Sequence, residues 1–346
     1  MTSKKSIDDM VLFAKKNNFN NVFLQVRGRG DAYYHSAFEP EPEMMDLQFY
    51  DPLAYALEKA HQSGINVHAW VNVYLTWSSA TEPTSNKHVV NLHYDWLDEE
   101  KENQTLAQLY SNRGVGDEGI YLAPHHPEVT PYLLSVFREL LENYEVDGLH
   151  LDYVRYKDSE YGKNIEAVDE YRNESGEDPK VFLSVNANIS KGDPQFTRKM
   201  TNWSDYRRKS VTDLVKQTKE VIKTSRPNVI FSASVKPDLY TARNQYFQEW
   251  DVWIAAGYMD WLIPMNYSTS IRDFASNIEI IYDNIPKKYR NKIIMGVSTY
   301  NQPAIDALDK IKYTRMTQFP GVCLFSYNAL IQTPLYVNIL QEELKE

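Results

Sequence analysis

Cysteine is almost absent: Cys323 is the only one in 346 residues. No intrachain disulfide can form, and the apolar setting GVCLFSY suits a small buried hydrophobe better than a nucleophile. Long apolar runs are missing too, none approaching the roughly 18 residues that a transmembrane helix needs. The opening MTSKKSIDDMVLFAKK contains no signal-peptide core. There is no basic block, and the net charge is −10. That argues against nucleic acid and against an anionic membrane surface as partners. A Gly-x-Ser-x-Gly elbow and a Walker loop are both absent, so serine-hydrolase and nucleotide-hydrolase chemistry have no starting point. Residues 27–31, RGRGD, hold two glycines between charges. No helix opens after them and no acidic residue ends a second strand in register, which disfavours nicotinamide or flavin binding.

Aromatic residues are plentiful: 25 Tyr, 13 Phe and 7 Trp. Tyr and Trp join an apolar face to a polar tip, which suits sugar or peptide binding, although most of them belong to core and rim. Hydrophobic residues at 42% and charged residues at 24% are ordinary for a soluble globular protein.

Strand-like and helix-like runs alternate along the chain. Strands are expected at 21–26, 65–73, 146–153, 229–235, 261–267, 292–297 and 321–327. Helices are expected near 6–17, 51–63, from 130, and near 208–225, 246–256, 272–284, 303–316 and from 334. Asp51 and Pro52 form a cap-and-proline start with Gly64 as the stop. Such alternation predicts βαβ units around a parallel sheet in one domain, 1–346. Seven strands, each followed by a helix, with a helix opening the chain, is the order of a (β/α)8 barrel, an α/β TIM barrel, without its first strand. The edges of 21–26 and 321–327 would then lack a partner. Either another segment closes that gap or the native chain begins upstream. An upstream signal would make the protein periplasmic or secreted; a complete sequence would make it cytoplasmic. Two connections, 75–127 and 157–203, are unusually long. Both leave the carboxyl ends of strands, so in a barrel they overhang the face where active sites are built.

Residues 146–156, VDGLHLDYVRY, concentrate the chemistry. Val146, Leu149 and Leu151 alternate with polar neighbours, and the run ends in His150, Asp152, Arg155 and Tyr156. A carboxylate at the end of a buried strand is costly unless paired, hydrogen-bonded or in use. A structural Asp–Arg pair would explain it; so would catalysis. Glycoside hydrolysis needs two carboxylates. Asp152 is the first candidate, and Asp31, beside Arg27 and Arg29, is a candidate partner. Asp238, Glu249, Asp251 and Asp260 read as caps or solvated charges. Trp70, Asn72, Asn266, Tyr267 and Tyr327 sit at other strand ends, where aromatic faces and amides would make a sugar subsite. His68 and His150 lie within strands and read as buried, hydrogen-bonded histidines, with a metal-dependent hydrolase as the alternative.

VFLQVRGRGDAYYHS, DPLAYALEKAHQSGINVHAWVNVYL, HVVNLHYDWL, VDGLHLDYVRY and DWLIPMNYS occur in that order. With them the chain, from about residue 20 to its end, resembles the glycosyl-hydrolase-like family 10 proteins of bacteria, several linked to peptidoglycan or other cell-surface glycans. The resemblance implies a (β/α)8 barrel with its site at the carboxyl ends of the strands and Asp152 at its centre. Members of the family normally carry a strand of the RGVW type before the first helix, which this chain lacks. In the more distant family-18 chitinases the corresponding strand reads DGxDxDxE, and its general-acid position is Val154 here. The chitinase mechanism does not transfer. The expected function is a glycoside hydrolase acting on a cell-wall or other polysaccharide, without a cofactor or metal. Asp152 and Asp31 would be catalytic. Arg27, Trp70, Asn72, His150, Arg155, Tyr156, Asn266, Tyr267 and Tyr327 would bind the carbohydrate. A sugar-binding barrel without catalysis is the other expectation.

Overall fold

The computed structural model describes residues 3–47, 50–100, 104–111, 116–183 and 193–344. All seven expected strands form. They are β1 (Asn21–Arg27), β2 (Asn66–Asn72), β5 (Gly148–Asp152), β6 (Ile230–Val235), β7 (Trp261–Pro264), β8 (Ile294–Ser298) and β9 (Gly321–Phe325). Between them the long connection after β2 folds into an antiparallel pair, β3 (Leu75–Trp77) with β4 (Ile120–Tyr121). The main sheet is parallel in the order β1-β2-β5-β6-β7. Parallel bridges Leu262–Ile293 and Met265–Gly296 carry it on to β8, which pairs with β9. Side chains from distant strands meet inside this array. The Trp70 ring on β2 lies 6.0 Å from Phe325 on β9, and His68 on β2 stacks 5.2 Å from Trp261 on β7. Rings from opposite ends of the strand order touch only if the sheet is curled, as in an α/β barrel of the (β/α)8 class.

The interior is packed with rings, not open. Phe23 lies 4.7 Å from His68 and 4.8 Å from His150. A Cβ on Gly148 would stand 1.9 Å from His68 Nδ1, so the glycine makes room for that ring. Outward strand residues pack on helices. Helix Val129–Asn143 buries Leu133, Val136, Phe137, Leu140 and Leu141 at 3.6-residue spacing. Asp51 caps helix Pro52–Gln62 by accepting from Ala54 N–H at 2.9 Å, with Pro52 at its start as expected.

Three expectations need correction. The helix expected near 208–225 runs Pro194–Ser225, because Asp193 caps it with Pro194 following, the same Asp-Pro signal as at 51–52. The connection 157–203 is therefore not a loop throughout: it also holds helices Ile165–Ser175 and Pro179–Leu183. The helix expected near 246–256 is shorter, Trp250–Ala255, and an unexpected helix, Leu239–Gln245, precedes it, the two separated where Phe247 takes a φ of 54°. Among the described residues no helix is long and apolar enough to cross a membrane.

Candidate active site

β5 ends on Asp152, in register with Asn72 of β2, and so delivers a carboxyl to the carboxyl-end mouth. The next residue, Tyr153, has a φ of 51° and turns the chain sharply. Its N–H donates to Asp152 Oδ1 at 2.7 Å. Oδ2 has no hydrogen-bond partner among the described residues. Burial raises the Asp152 carboxyl to about 6, and the nearby Glu118 charge pushes the same way against Arg155 and Lys236.

Glu118 stands in the connection 75–127, just before β4. Arg155 Nη2 donates to both of its oxygens, at 2.8 and 2.9 Å, and Tyr121 Oη donates at 2.5 Å. Burial alone would raise the Glu118 carboxyl. The Arg155 charge and these hydrogen bonds outweigh it and hold the group below the usual carboxylate range. Two carboxyls of one mouth are thus driven apart, one toward its proton and one toward its charge. That is the electrostatic division of labour of an acid and an ionised partner.

Lys236 follows β6 on the inward-facing register. Its ammonium lies 4.3 Å from the centre of the Tyr246 ring, and burial with the Arg155 charge lowers its pKa. Tyr267 stacks on Phe325 with ring centres 5.7 Å apart and sits near enough to Asp152 and Tyr153 to feel their charges.

Of the residues expected in the site, Trp70 and Tyr267 are partly exposed and Asp152, though largely buried, ends its strand at this mouth; the others are taken up elsewhere. Arg27 is wholly buried, its guanidinium paired with Glu39 at 2.7 Å and donating to the Asn72 and Val73 carbonyls, so it presents no exposed donor to a ligand. Asn72 is also consumed: Oδ1 accepts from Trp70 Nε1 at 2.9 Å, and Nδ2 donates to the Gly28 carbonyl at 2.7 Å. His150 is locked between Ser232 and Ser234, both at 2.9 Å, and burial lowers its pKa to about 3. Tyr156 is buried against His125 at 2.6 Å and Ser210 at 3.3 Å. Asn266 spends its amide on the Phe274 carbonyl and on Asn277. Arg155 is buried and holds Glu118. Tyr327 packs 5.2 Å from Phe13, on helix Lys4–Lys16 outside the strands. Asp31 is buried and closes its turn by accepting from Arg29 N–H at 2.9 Å. The carboxylate coupled to Asp152 is Glu118. Sequence reading missed Glu118, Lys236, Tyr153 and Tyr246. Lys236 carried a usable signal, as the residue directly after a barrel strand; Glu118 did not.

One group of potential metal ligands occurs among the described residues: Asp95, His126 and Glu166, with ligand atoms within 4.8 Å of one another. His126 Nδ1 accepts from Glu128 N–H at 3.2 Å, which leaves the ring proton on Nε2, facing Glu166 at 3.0 Å. A metal needs the Nε2 lone pair that this proton occupies.

A curled parallel sheet with titratable groups at the carboxyl ends of its strands defines a (β/α)8-barrel protein. The particular family follows from sequence: residues 2–312 match the glycosyl hydrolase-like 10 family, and the chain belongs to it. Glycosyl hydrolase YngK of Bacillus subtilis (strain 168) is 26% identical over 291 residues, covering 76% of this chain and 49% of its own length. Glycosyl hydrolase DigH of Escherichia coli (strain K12) is 24% identical over 335 residues, covering 86% of this chain and 67% of its own. The chain therefore spans about half of YngK and two thirds of DigH. Among solved structures, the PgaB (BpsB) glycoside hydrolase domain from Bordetella bronchiseptica superposes with a TM-score of 0.69 at 13% identity, covering 97% of this chain and 92% of that one. Alpha-L-fucosidase isoenzyme 2 from Paenibacillus thiaminolyticus gives 0.62 at 13% identity, over 99% and 46%. At such identities the likeness shows the fold.

Proposed function

We propose that this protein is a glycoside hydrolase acting on a bacterial cell-wall glycan or a similar polysaccharide, with Asp152 as general acid and Glu118 as its ionised partner. The observation that carries this reading is the opposed setting of the two carboxyls: burial holds Asp152 up to about 6, and Arg155 holds Glu118 low. Between those values Asp152 keeps its proton while Glu118 keeps its charge, the state that glycosidic cleavage requires. Asp152 gives its proton to the glycosidic oxygen as the C1–O bond breaks. Glu118 supports the positive charge growing at C1 and delivers the incoming oxygen, its own or that of a water it deprotonates. Trp70, Tyr153, Tyr246 and Tyr267 offer faces for sugar rings around the pair. A sugar-binding barrel without catalysis is the alternative if no second carboxylate serves Asp152; on the present reading Glu118 is that carboxylate. The names of its relatives agree with this reading.

The test is cleavage of peptide-free peptidoglycan strands and of exopolysaccharides, followed by release of reducing ends. Asp152→Asn and Glu118→Gln should each lower the rate by roughly 10²–10⁴-fold. Undiminished cleavage by Asp152→Asn removes that residue from the mechanism. The anomeric configuration of the first product distinguishes attack by Glu118 from attack by water.

A further inference from the structure

We propose that Lys236 determines substrate choice: its ammonium receives a carboxylate carried by the sugar bound against Asp152. This rests on the glycosidase reading above and adds to it the charge of the substrate. Ser232 and Ser234 of β6 face inward onto His150, and Lys236 is the next residue at that parity, so its stem points into the mouth. Its backbone is clamped at both ends by buried side chains. Lys236 N–H donates to Gln248 Oε1 at 2.9 Å, and Trp250 Nε1 donates to the Lys236 carbonyl at 3.0 Å. Gln248 Nε2 also reaches the Ser234 carbonyl at 3.2 Å and the Val154 carbonyl at 3.4 Å, tying the end of β6 to the chain beyond β5. The position of Lys236 relative to Asp152 is therefore built in. Its ammonium rests over the Tyr246 ring and has no hydrogen-bond acceptor among the described residues.

Charge balance supplies the ligand. Glu118 and Arg155 are joined through both carboxylate oxygens and cancel each other. When Asp152 carries the proton it donates, Lys236 is, among the described residues, the cation of this mouth without a counter-charge. It offers three N–H donors to whatever binds. A sugar hydroxyl would satisfy a donor and leave the charge; a carboxylate satisfies both.

The experiment uses Asp152→Asn protein, which cannot deliver the proton and mimics the neutral carboxyl. Calorimetry measures its binding to amidase-stripped peptidoglycan strands, whose muramic acid carries a free carboxylate, and to the same strands after carboxyl reduction. The charged strands should bind roughly tenfold to a hundredfold more tightly, the range of a charge-assisted hydrogen bond. Adding Lys236→Met should bring them down to the affinity of the reduced strands, whereas Lys236→Arg should keep the gap. Equal binding of the two polymers, no binding of either, or a gap that survives Lys236→Met overturns the proposal. Cleavage by the wild-type protein is scored separately. Selective binding without cleavage would strike the glycosidase reading and leave the role of Lys236 standing.

Discussion

Arg155 donates to both oxygens of Glu118, at 2.8 and 2.9 Å, and this one contact ties a residue just beyond β5 to a residue of the connection before β4. Tyr121, Tyr153 and Tyr246 surround the guanidinium, with centroids 5.9, 5.1 and 4.8 Å away. A carboxylate on a long connection is thereby fixed beside one on a strand. Removing the guanidinium should release it. Arg155→Met is expected to raise the Glu118 carboxyl, move the low-pH limb of kcat/KM upward, and lower kcat by about 10²-fold through misplacement. Arg155→Lys should recover only part of this, because a single ammonium cannot hold Glu118 and also replace the second nitrogen's bonds to the Tyr156 and Lys157 carbonyls. An unmoved acid limb in Arg155→Met would show that Glu118 is not the ionised partner.

On the proposed mechanism Asp152 should set the alkaline limb. With its pKa at about 6, kcat/KM should fall tenfold per pH unit above that value as the acid loses its proton. The limb should be missing from the residual activity of Asp152→Asn. A rate that instead rises through pH 6 would make Asp152 the base or nucleophile.

Arg27 separates structure from binding. Both partners of the Arg27–Glu39 pair are fully buried, and Tyr132 Oη also donates to Glu39, at 2.7 Å. Arg27→Met leaves the Glu39 charge without its partner, at an expected cost of about 3–5 kcal/mol in denaturant unfolding. Its KM at a temperature where it stays folded should match wild type. A raised KM with unchanged stability would restore Arg27 to the sugar site.

Stability should depend on pH from both sides. Burial pushes His68, His125 and His150 from 6.5 down to about 4, 3 and 3, so the unfolded chain takes up protons that the fold refuses. Their contribution is complete above pH 6.5 and is lost as pH falls toward 4. Asp152 and Asp98 run the other way: burial raises them from 3.8 to about 6 and about 8, and stability is lost as pH rises through those values. A melting temperature that peaks near pH ~6.5 is expected. Asp98→Asn should flatten the alkaline side and His150→Gln the acid side. A curve that climbs steadily from pH 6.5 to 8.5 would contradict the assignment of Asp98.

The seven parallel strands were legible in the chain because period-2 apolar runs and cap signals act within a few residues. Asp51-Pro52 marked a helix start correctly, and the same pair at 193–194 marks one that was read as loop. Asp152 was visible for the same local reason, as a charge at the end of an apolar strand. Its partner was not. Glu118 is an ordinary acidic residue in GDEGI, and its chemistry arises from an Arg 37 positions away that reaches it across the mouth. Local pattern also misassigned roles. Arg27, Asn72, His150, Tyr156 and Asn266 lie at or near strand ends, as sugar-binding groups would, yet neighbouring strands and helices absorb their hydrogen bonds. Which face of the sheet is buried is written in residues two apart. Which polar group still has a free donor or acceptor depends on partners from four or five elements, and only closing those elements around one mouth decides it.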